Sequence, residues 1–230
     1  MKEKTTTLKK AYILLSVLLF SLAVTYIDAF VQPPYFSKIP IKILFFLILP
    51  MLFFVIWREE WHDFKALFRF RKKGLLLSFL LGIAIFSVIL GGYFVTRGFI
   101  DFSGVTASLT SEMGITKANF VWVAIYISVM NSFLEEFFFR GFGFITLKKY
   151  VGTRFAYGFS PVLFAVYHVG MLLGMFHPAV LALILFGLIV GGLIFNALND
   201  KLGNLYPSWF VHMAANFAIN TIGFILFDIL

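Results

Sequence analysis

Three ionisable residues stand inside one of the most apolar stretches of this sequence. The segment NSFLEEFFFRGFGF (131–144) contains Glu135, Glu136 and Arg140 among aromatic and small residues. A charge in the hydrocarbon core of a membrane costs at least ~2.5–3.5 kcal/mol on insertion scales. Residues that persist there usually transfer protons, pair with each other or bind ions. The segment is therefore the first candidate for a functional site.

Helix geometry predicts different roles for the two glutamates. Glu136 and Arg140 are four residues apart, so they share a helix face and can form an ion pair. At 3.6 residues per turn, Glu135 points about 140° away from Arg140. We therefore expect Glu135 to face another helix, with Asn131 one turn below it.

Three further polar residues fall inside apolar segments. His168 ends FAVYH (164–168), and HMAAN (212–216) holds His212 and Asn216 one turn apart. Counted at ~1.5 Å per residue, these groups and Glu135 lie roughly 9–20 Å deep from the same membrane face. Matched depth on three helices favours one shared site. The two other histidines, His62 and His177, are predicted to be ordinary interfacial residues.

The elements that must position these residues are membrane helices. The chain has 230 residues, of which 61% are hydrophobic and 13% charged, with a mean hydropathy of +0.95. This composition is typical of polytopic membrane proteins. We predict an all-α bundle in one integral domain, 1–230. Its seven predicted helices span roughly 11–31, 40–57, 75–96, 119–147, 155–175, 178–198 and 206–228.

Charge and cysteine content limit the function and set the orientation. The chain has no Cys, which excludes cysteine nucleophiles and thiolate zinc sites. The net charge of +8 reflects basic loops, so no nucleic-acid partner is expected.

The distribution of basic residues predicts the orientation in the membrane. Fourteen Lys and Arg fall on one side of the predicted helices, and four on the other: Lys38, Lys42, Arg97 and Lys117. The richer side should be cytoplasmic, together with the N-terminus and the opening of the site. The first apolar segment is expected to be an uncleaved helix rather than a signal peptide.

Two segments leave alternatives open. The stretch 58–73 alternates aromatic and basic residues, and it is either a cytoplasmic interfacial amphipathic segment or a plain basic loop. The GLIVG pattern (187–191) predicts close helix packing within the bundle, with a homodimer face as the alternative.

The polar motifs together resemble a known family. EEFFFR (135–140) matches an EExxxR pattern, FAVYH matches FxxxH and HMAAN matches HxxxN, in the family's order. Over roughly 115–225, the chain resembles the CAAX-protease and bacteriocin-processing (Abi) family of intramembrane proteases, also called type II CAAX endopeptidases.

The resemblance implies hydrolysis of a peptide bond in or beside the membrane. By this resemblance Glu135 is the catalytic glutamate and His168 a water-activating histidine. His212 and Asn216 correspond to stabilisers of the oxyanion, while Glu136 and Arg140 correspond to structural companions. The chemistry is reasonable, because a desolvated carboxylate beside an imidazole can act as a general base.

Several points stay open from the sequence. Glu135, His168 and His212 could also be zinc ligands, although we expect that no metal or other cofactor is required. A non-catalytic scaffold of the same fold and a proton-coupled transporter are the alternative functions. The substrate could be a prenylated CAAX protein, a bacteriocin or a signalling peptide. A prokaryotic cell membrane is the expected location.

Overall fold

The computed structural model describes residues 2–230, apart from the side chain of Lys2, and this part of the chain is helical without strands. Seven of its helices are long and apolar enough to cross a membrane, which confirms the predicted helical bundle. In chain order, the helices are α1 (Glu3–Val31), α2 (Tyr35–Ile56), α3 (Trp61–Leu67), α4 (Leu75–Thr96), α5 (Ser103–Met113), α6 (Phe120–Val151), α7 (Thr153–Leu172), α8 (Pro178–Leu202) and α9 (Tyr206–Leu226).

Helix α2 begins earlier than the sequence indicated. It starts at Tyr35 and continues through Pro40, so Lys38 and Lys42 lie inside a membrane-length helix. Both lysines are buried, with 5% and 7% of their surface exposed. The predicted start of this helix near residue 40 is therefore wrong, and the membrane side assigned to the two lysines stays a prediction. Each ammonium group has a polar partner on another helix or helix end, which offsets the cost of burying it.

Helix α6 forms the axis of the bundle. It contacts α1, α2, α7, α8 and α9, and Phe137, Phe138 and Phe139 are fully buried although they are consecutive. A helix that is surrounded on all sides must be apolar all round, apart from functional positions. Two stretches of α6, Ile127–Asn131 and Glu136–Thr146, have the wider π-helical turn. Such turns are rare and frequently mark functional sites.

A single glycine lets α8 approach the axis of the bundle. A Cβ on Gly192 would lie 2.8 Å from Pro161 Cβ of α7 and 3.3 Å from Arg140 Nη2 of α6. In contrast, a Cβ on Gly187 or Gly191 would meet no atom within 4 Å in the described part of the chain. The prediction that GLIVG packs within the bundle is therefore wrong, because its glycines face outward. The homodimer face stays a prediction.

The segment 58–73 forms a short turn followed by α3. Leu67 is buried and Phe64 packs against the core, whereas Lys65 and Phe70 are exposed. The segment is thus amphipathic in structure, and its position at the cytoplasmic membrane surface stays a prediction. Helix α5 was not predicted.

Candidate active site

The six candidate residues come from three helices around the bundle axis. Helix α6 carries the two glutamates and the arginine, α7 carries one histidine, and α9 carries the other histidine and the asparagine. The side chains are Glu135, Glu136, Arg140, His168, His212 and Asn216.

His212 connects the two glutamates. Its Nδ1 lies 3.0 Å from Glu136 Oε1, and its Nε2 lies 3.6 Å from Glu135 Oε2. An ionised carboxylate only accepts hydrogen bonds, so Nδ1 carries the hydrogen and donates a hydrogen bond to Glu136. The imidazole ring stacks on Phe195, with centroids 5.3 Å apart, and this contact fixes its plane. Nε2 is therefore the nitrogen that faces Glu135.

The two oxygens of Glu135 have different environments. Oε1 accepts hydrogen bonds from Asn131 Nδ2 at 2.6 Å and from the Tyr167 hydroxyl at 3.0 Å. The nearest polar partner of Oε2 among residues 2–230 is His212 Nε2 at 3.6 Å, which is too long for a hydrogen bond. Glu135 is 2% exposed. One oxygen is thus held in place, and the other stays free to accept a proton.

Glu136 and Arg140 lie within ion-pair distance, and both are fully buried. Arg140 Nε is 3.6 Å from Glu136 Oε1, and Ser208 donates to Glu136 Oε2 at 2.5 Å. No guanidinium nitrogen of Arg140 has a hydrogen-bond partner among residues 2–230. Its charge instead lies over aromatic rings, 3.9 Å from the Phe164 centroid and 5.0 Å from that of Phe195. Cation–π contacts of this kind partly replace the missing hydrogen bonds.

His168 is oriented by its own helix. Its Nδ1 lies 2.7 Å from the carbonyl oxygen of Phe164. Because a carbonyl oxygen can only accept, Nδ1 is the protonated nitrogen and Nε2 is left to accept a proton. Within the described residues, His168 and Glu135 form no direct hydrogen bond with each other.

Asn216 helps to attach α9 to the first π-helical stretch of α6, Ile127–Asn131. Its Nδ2 donates to the main-chain oxygen of Ile127 at 3.1 Å. Two turns earlier on the same helix, Trp209 Nε1 donates to the main-chain oxygen of Val129 at 3.2 Å. An amide nitrogen has two hydrogens, so Asn216 keeps a second donor besides the one used on α6.

The sequence reading missed several contributors to the site. Lys42 Nζ of α2 donates to Asn131 Oδ1 at 3.0 Å and lies 5.2 Å from the Tyr167 ring centroid. Tyr167 and Ser208 are the other two. Ser208 was detectable because it precedes His212 by four residues and so shares its face. Lys42 was harder to detect from the sequence, because it follows Pro40 at the predicted start of a helix.

The possible metal ligands can be tested against the geometry. Within residues 2–230, no three His, Asp or Glu side chains converge closely enough to hold a metal ion. Glu135 Oε1 is occupied by two donors, and His212 Nδ1 is bound to Glu136. As arranged, Glu135, His168 and His212 do not form a closed ligand set. The metal requirement of the reaction stays a prediction.

The structure thus defines a polytopic helical protein with a buried carboxylate–imidazole cluster between membrane-length helices. Residues 117–218 match the family model described as type II CAAX prenyl endopeptidase Rce1-like. The match includes all six candidate residues, and it confirms the resemblance to the CAAX-protease and bacteriocin-processing family. At the level of the family, it supports an intramembrane endopeptidase of the CAAX type. No curated protein and no solved structure matches the chain.

Proposed function

We propose that this protein is an intramembrane endopeptidase that hydrolyses a peptide bond of a membrane-associated protein or peptide. The observation that carries the proposal is the asymmetry of Glu135, whose Oε1 accepts two hydrogen bonds while Oε2 accepts none from the described residues. A purely structural carboxylate would be expected to have both oxygens paired, because unpaired buried polar atoms are costly. The family's description makes prenylated CAAX peptides the first substrate class to test.

Glu135 and His168 are assigned to the activation of water. Glu135 Oε2 accepts one proton of a water molecule while the water oxygen attacks the carbonyl carbon of the substrate. His168 holds that water through Nε2, because its Nδ1 is occupied by Phe164 O. The C–N bond then breaks, and the proton on Glu135 passes to the nitrogen of the leaving amine.

His212 and Asn216 are assigned to the oxyanion. His212 can donate from Nε2 only when the ring carries both protons, because Nδ1 already donates to Glu136. Asn216 contributes the amide hydrogen that Ile127 O does not use. Donors that are held in place before the reaction stabilise the developing charge without the cost of reorganisation. Glu136, held by Ser208 and Arg140, positions the imidazole.

Two experiments test the proposal. The first compares the peptides in membranes that contain the wild-type protein with those in membranes that contain Glu135→Gln at equal abundance. The second incubates both proteins in liposomes with a fluorogenic farnesylated CAAX peptide. We expect peptide products that require Glu135. Identical peptide pools, together with no cleavage of the probe by the wild type, would reject the proposal.

A further inference from the structure

Lys42 is a buried ammonium group that the proposed mechanism does not use. It lies in the membrane-spanning helix α2 and is 7% exposed. Its cost must be offset by specific contacts, because a cation in a membrane interior is expensive. Its hydrogen-bond partner is not a carboxylate but the amide oxygen of Asn131, 3.0 Å away.

This contact fixes the orientation of the Asn131 amide. An ammonium group can only donate, so it requires Oδ1 of Asn131. The ionised carboxylate of Glu135 can only accept, so it requires Nδ2, which lies 2.6 Å from Oε1. A flipped amide would place donor against donor at Lys42 and acceptor against acceptor at Glu135. The chain Lys42–Asn131–Glu135 therefore has one favourable direction.

Lys42 also contacts the second donor to the same oxygen. Its ammonium nitrogen lies 5.2 Å from the ring centroid of Tyr167, within the range of a cation–π contact. The Tyr167 hydroxyl donates to Glu135 Oε1 at 3.0 Å. Both groups that hold Oε1 are thus held in turn by Lys42.

We propose that Lys42 is a positioning residue that fixes Glu135 Oε1 through Asn131 and Tyr167, so that Oε2 is the reacting oxygen. This inference rests on the proposed function, because it assigns Lys42 to the same reaction. Lys42 does not touch the reacting atoms and acts only through its two neighbours.

The charge of Lys42 fits the same role. Glu135 and Glu136 contribute two negative charges, and Arg140 and Lys42 contribute two positive charges. A proton on His212 then makes the site positive overall, which favours an oxyanion. Without Lys42 the site would have one positive charge fewer during the attack of water.

Lys38, one helical turn before Lys42 on α2, provides a matched control. Lys38 is as deeply buried as Lys42, at 5% exposed, but its ammonium nitrogen lies 2.7 Å from Asp28 Oδ1. Neither residue of this pair hydrogen-bonds to Asn131, Tyr167 or Glu135. The double change Lys38→Met with Asp28→Asn removes a buried lysine and its partner together. We expect it to leave turnover within about twofold, because it removes one positive and one negative charge together and breaks no hydrogen bond to Asn131, Tyr167 or Glu135.

The kinetic test uses the farnesylated CAAX peptide in liposomes. Lys42→Met should lower kcat by about 10- to 100-fold, because a small misplacement of a catalytic group has an effect of this size. KM should change by less than about twofold, because Lys42 acts through Asn131 and Tyr167 and not through contact with the substrate. Lys42→Gln, which keeps a donor for Asn131, should lose less activity. Lys42→Met with Asn131→Leu should be no slower than the slower single variant, because both changes break one chain of contacts.

A second test does not depend on a substrate. Asn131→Leu should lower the melting temperature, because it leaves the Lys42 ammonium group buried without its partner. Adding Lys42→Met should restore most of that loss. This measurement tests the contact between Lys42 and Asn131 even if the peptide is not cleaved. Full restoration supports the contact, and no restoration rejects it.

The outcomes separate this inference from the proposed function. If Glu135→Gln is inactive while Lys42→Met keeps the wild-type kcat, the role of Lys42 is wrong and the proposed function survives. Effects of Lys42→Met and Asn131→Leu that multiply would also reject a shared chain of contacts. If Glu135→Gln stays active, the proposed mechanism itself fails. If Lys42→Met does not fold, the comparison of Lys42→Gln with Lys38→Gln gives the same decision on kcat.

Discussion

Two charged clusters of this protein differ in how completely their groups are paired. The helix-end cluster joins Lys9 of α1, Glu60 before α3, and Lys149 and Tyr150 of α6. Glu60 Oε1 accepts from Lys9 and Tyr150, both at 2.6 Å, and Oε2 accepts from Lys149 at 3.2 Å. Lys149 also pairs with Asp63. Both oxygens of the central carboxylate are therefore satisfied.

In the central cluster the hydrogen-bond pairing of the charged groups is incomplete. This cluster consists of Glu135, Glu136, Arg140 and His212. Arg140 has no hydrogen bond among the described residues, and Glu135 Oε2 has no donor within hydrogen-bond distance. A cluster that only stabilises the fold gains from complete pairing, whereas a reactive cluster needs a free acceptor and donors. The comparison thus supports the proposal that the central cluster is the reactive one, and it predicts that activity and stability respond separately.

The largest expected effect is the loss of activity in Glu135→Gln. Glutamine keeps the shape of the side chain but cannot accept the proton of water, so turnover should fall by ~10²–10⁴-fold. The melting temperature should stay close to that of the wild type. Cleavage rate and thermal unfolding in detergent measure the two effects. Glu60→Gln in the helix-end cluster is the control, and turnover above about a tenth of wild type in Glu135→Gln would contradict the assignment.

Asn216→Ala should come next. Loss of one oxyanion donor lowers turnover by ~10²–10³-fold with little change in KM. Asn220 is the matched control, because it lies one turn further along α9 and only donates to α6, at Ala124 O and Ser128 Oγ. Asn220→Ala should affect stability more than turnover. Equal turnover losses in the two variants would mean that Asn216 only attaches α9 to α6.

Arg140→Ala should affect stability first. The change leaves Glu136 buried without its cation, at a cost of roughly 3–5 kcal/mol. The double change Glu136→Gln with Arg140→Met removes both charges and should be more stable than Arg140→Ala alone. Thermal unfolding of the three proteins in detergent provides the measurement. A double variant no more stable than Arg140→Ala would show that the two residues do not form a pair.

Glu60→Gln should have a moderate effect that depends on pH. Burial raises the pKa of Glu60, but hydrogen bonds from Lys9 and Tyr150 and the charge of Lys149 outweigh it and lower the pKa overall. A lowered folded-state pKa stabilises the fold above the unfolded value of about 4.3, and this contribution is lost as the pH falls below it. Glu60→Gln should cost about 1–3 kcal/mol at neutral pH. Its melting temperature should change less between pH 6 and pH 3 than that of the wild type, and equal pH dependence would contradict the pairing.

Removal of metal should have the smallest effect. Among the described residues, Glu135, His168 and His212 do not converge on one point, so we expect turnover to survive treatment with a strong chelator. Metal content and cleavage rate are measured on the same preparation. Activity that is lost on chelation and restored by zinc would show that these residues are ligands rather than a general base and its partners.

The sequence predicted the fold well because the apolar runs match the thickness of a membrane. It also selected the residues of the central cluster, since charged groups are conspicuous in EEFFFR and HMAAN. It assigned no role to Lys42, because this charge lies near the predicted helix start at Pro40 and its partner Asn131 is 89 residues away. The arithmetic of 100° per residue could not reveal the π-helical turns of α6. Those turns depend on packing against several helices, which no local pattern encodes.

The π-helical stretch Ile127–Asn131 of α6 affects which substitutions the protein tolerates. Helix α9 reaches α6 partly through main-chain oxygens, those of Ile127 and Val129. Such contacts do not depend on which side chains stand at these two positions. A scan of single substitutions should therefore find 127 and 129 permissive to other apolar residues. Deletion of one residue in 127–131 should be far more harmful, because it would shift each later residue of α6 relative to α9.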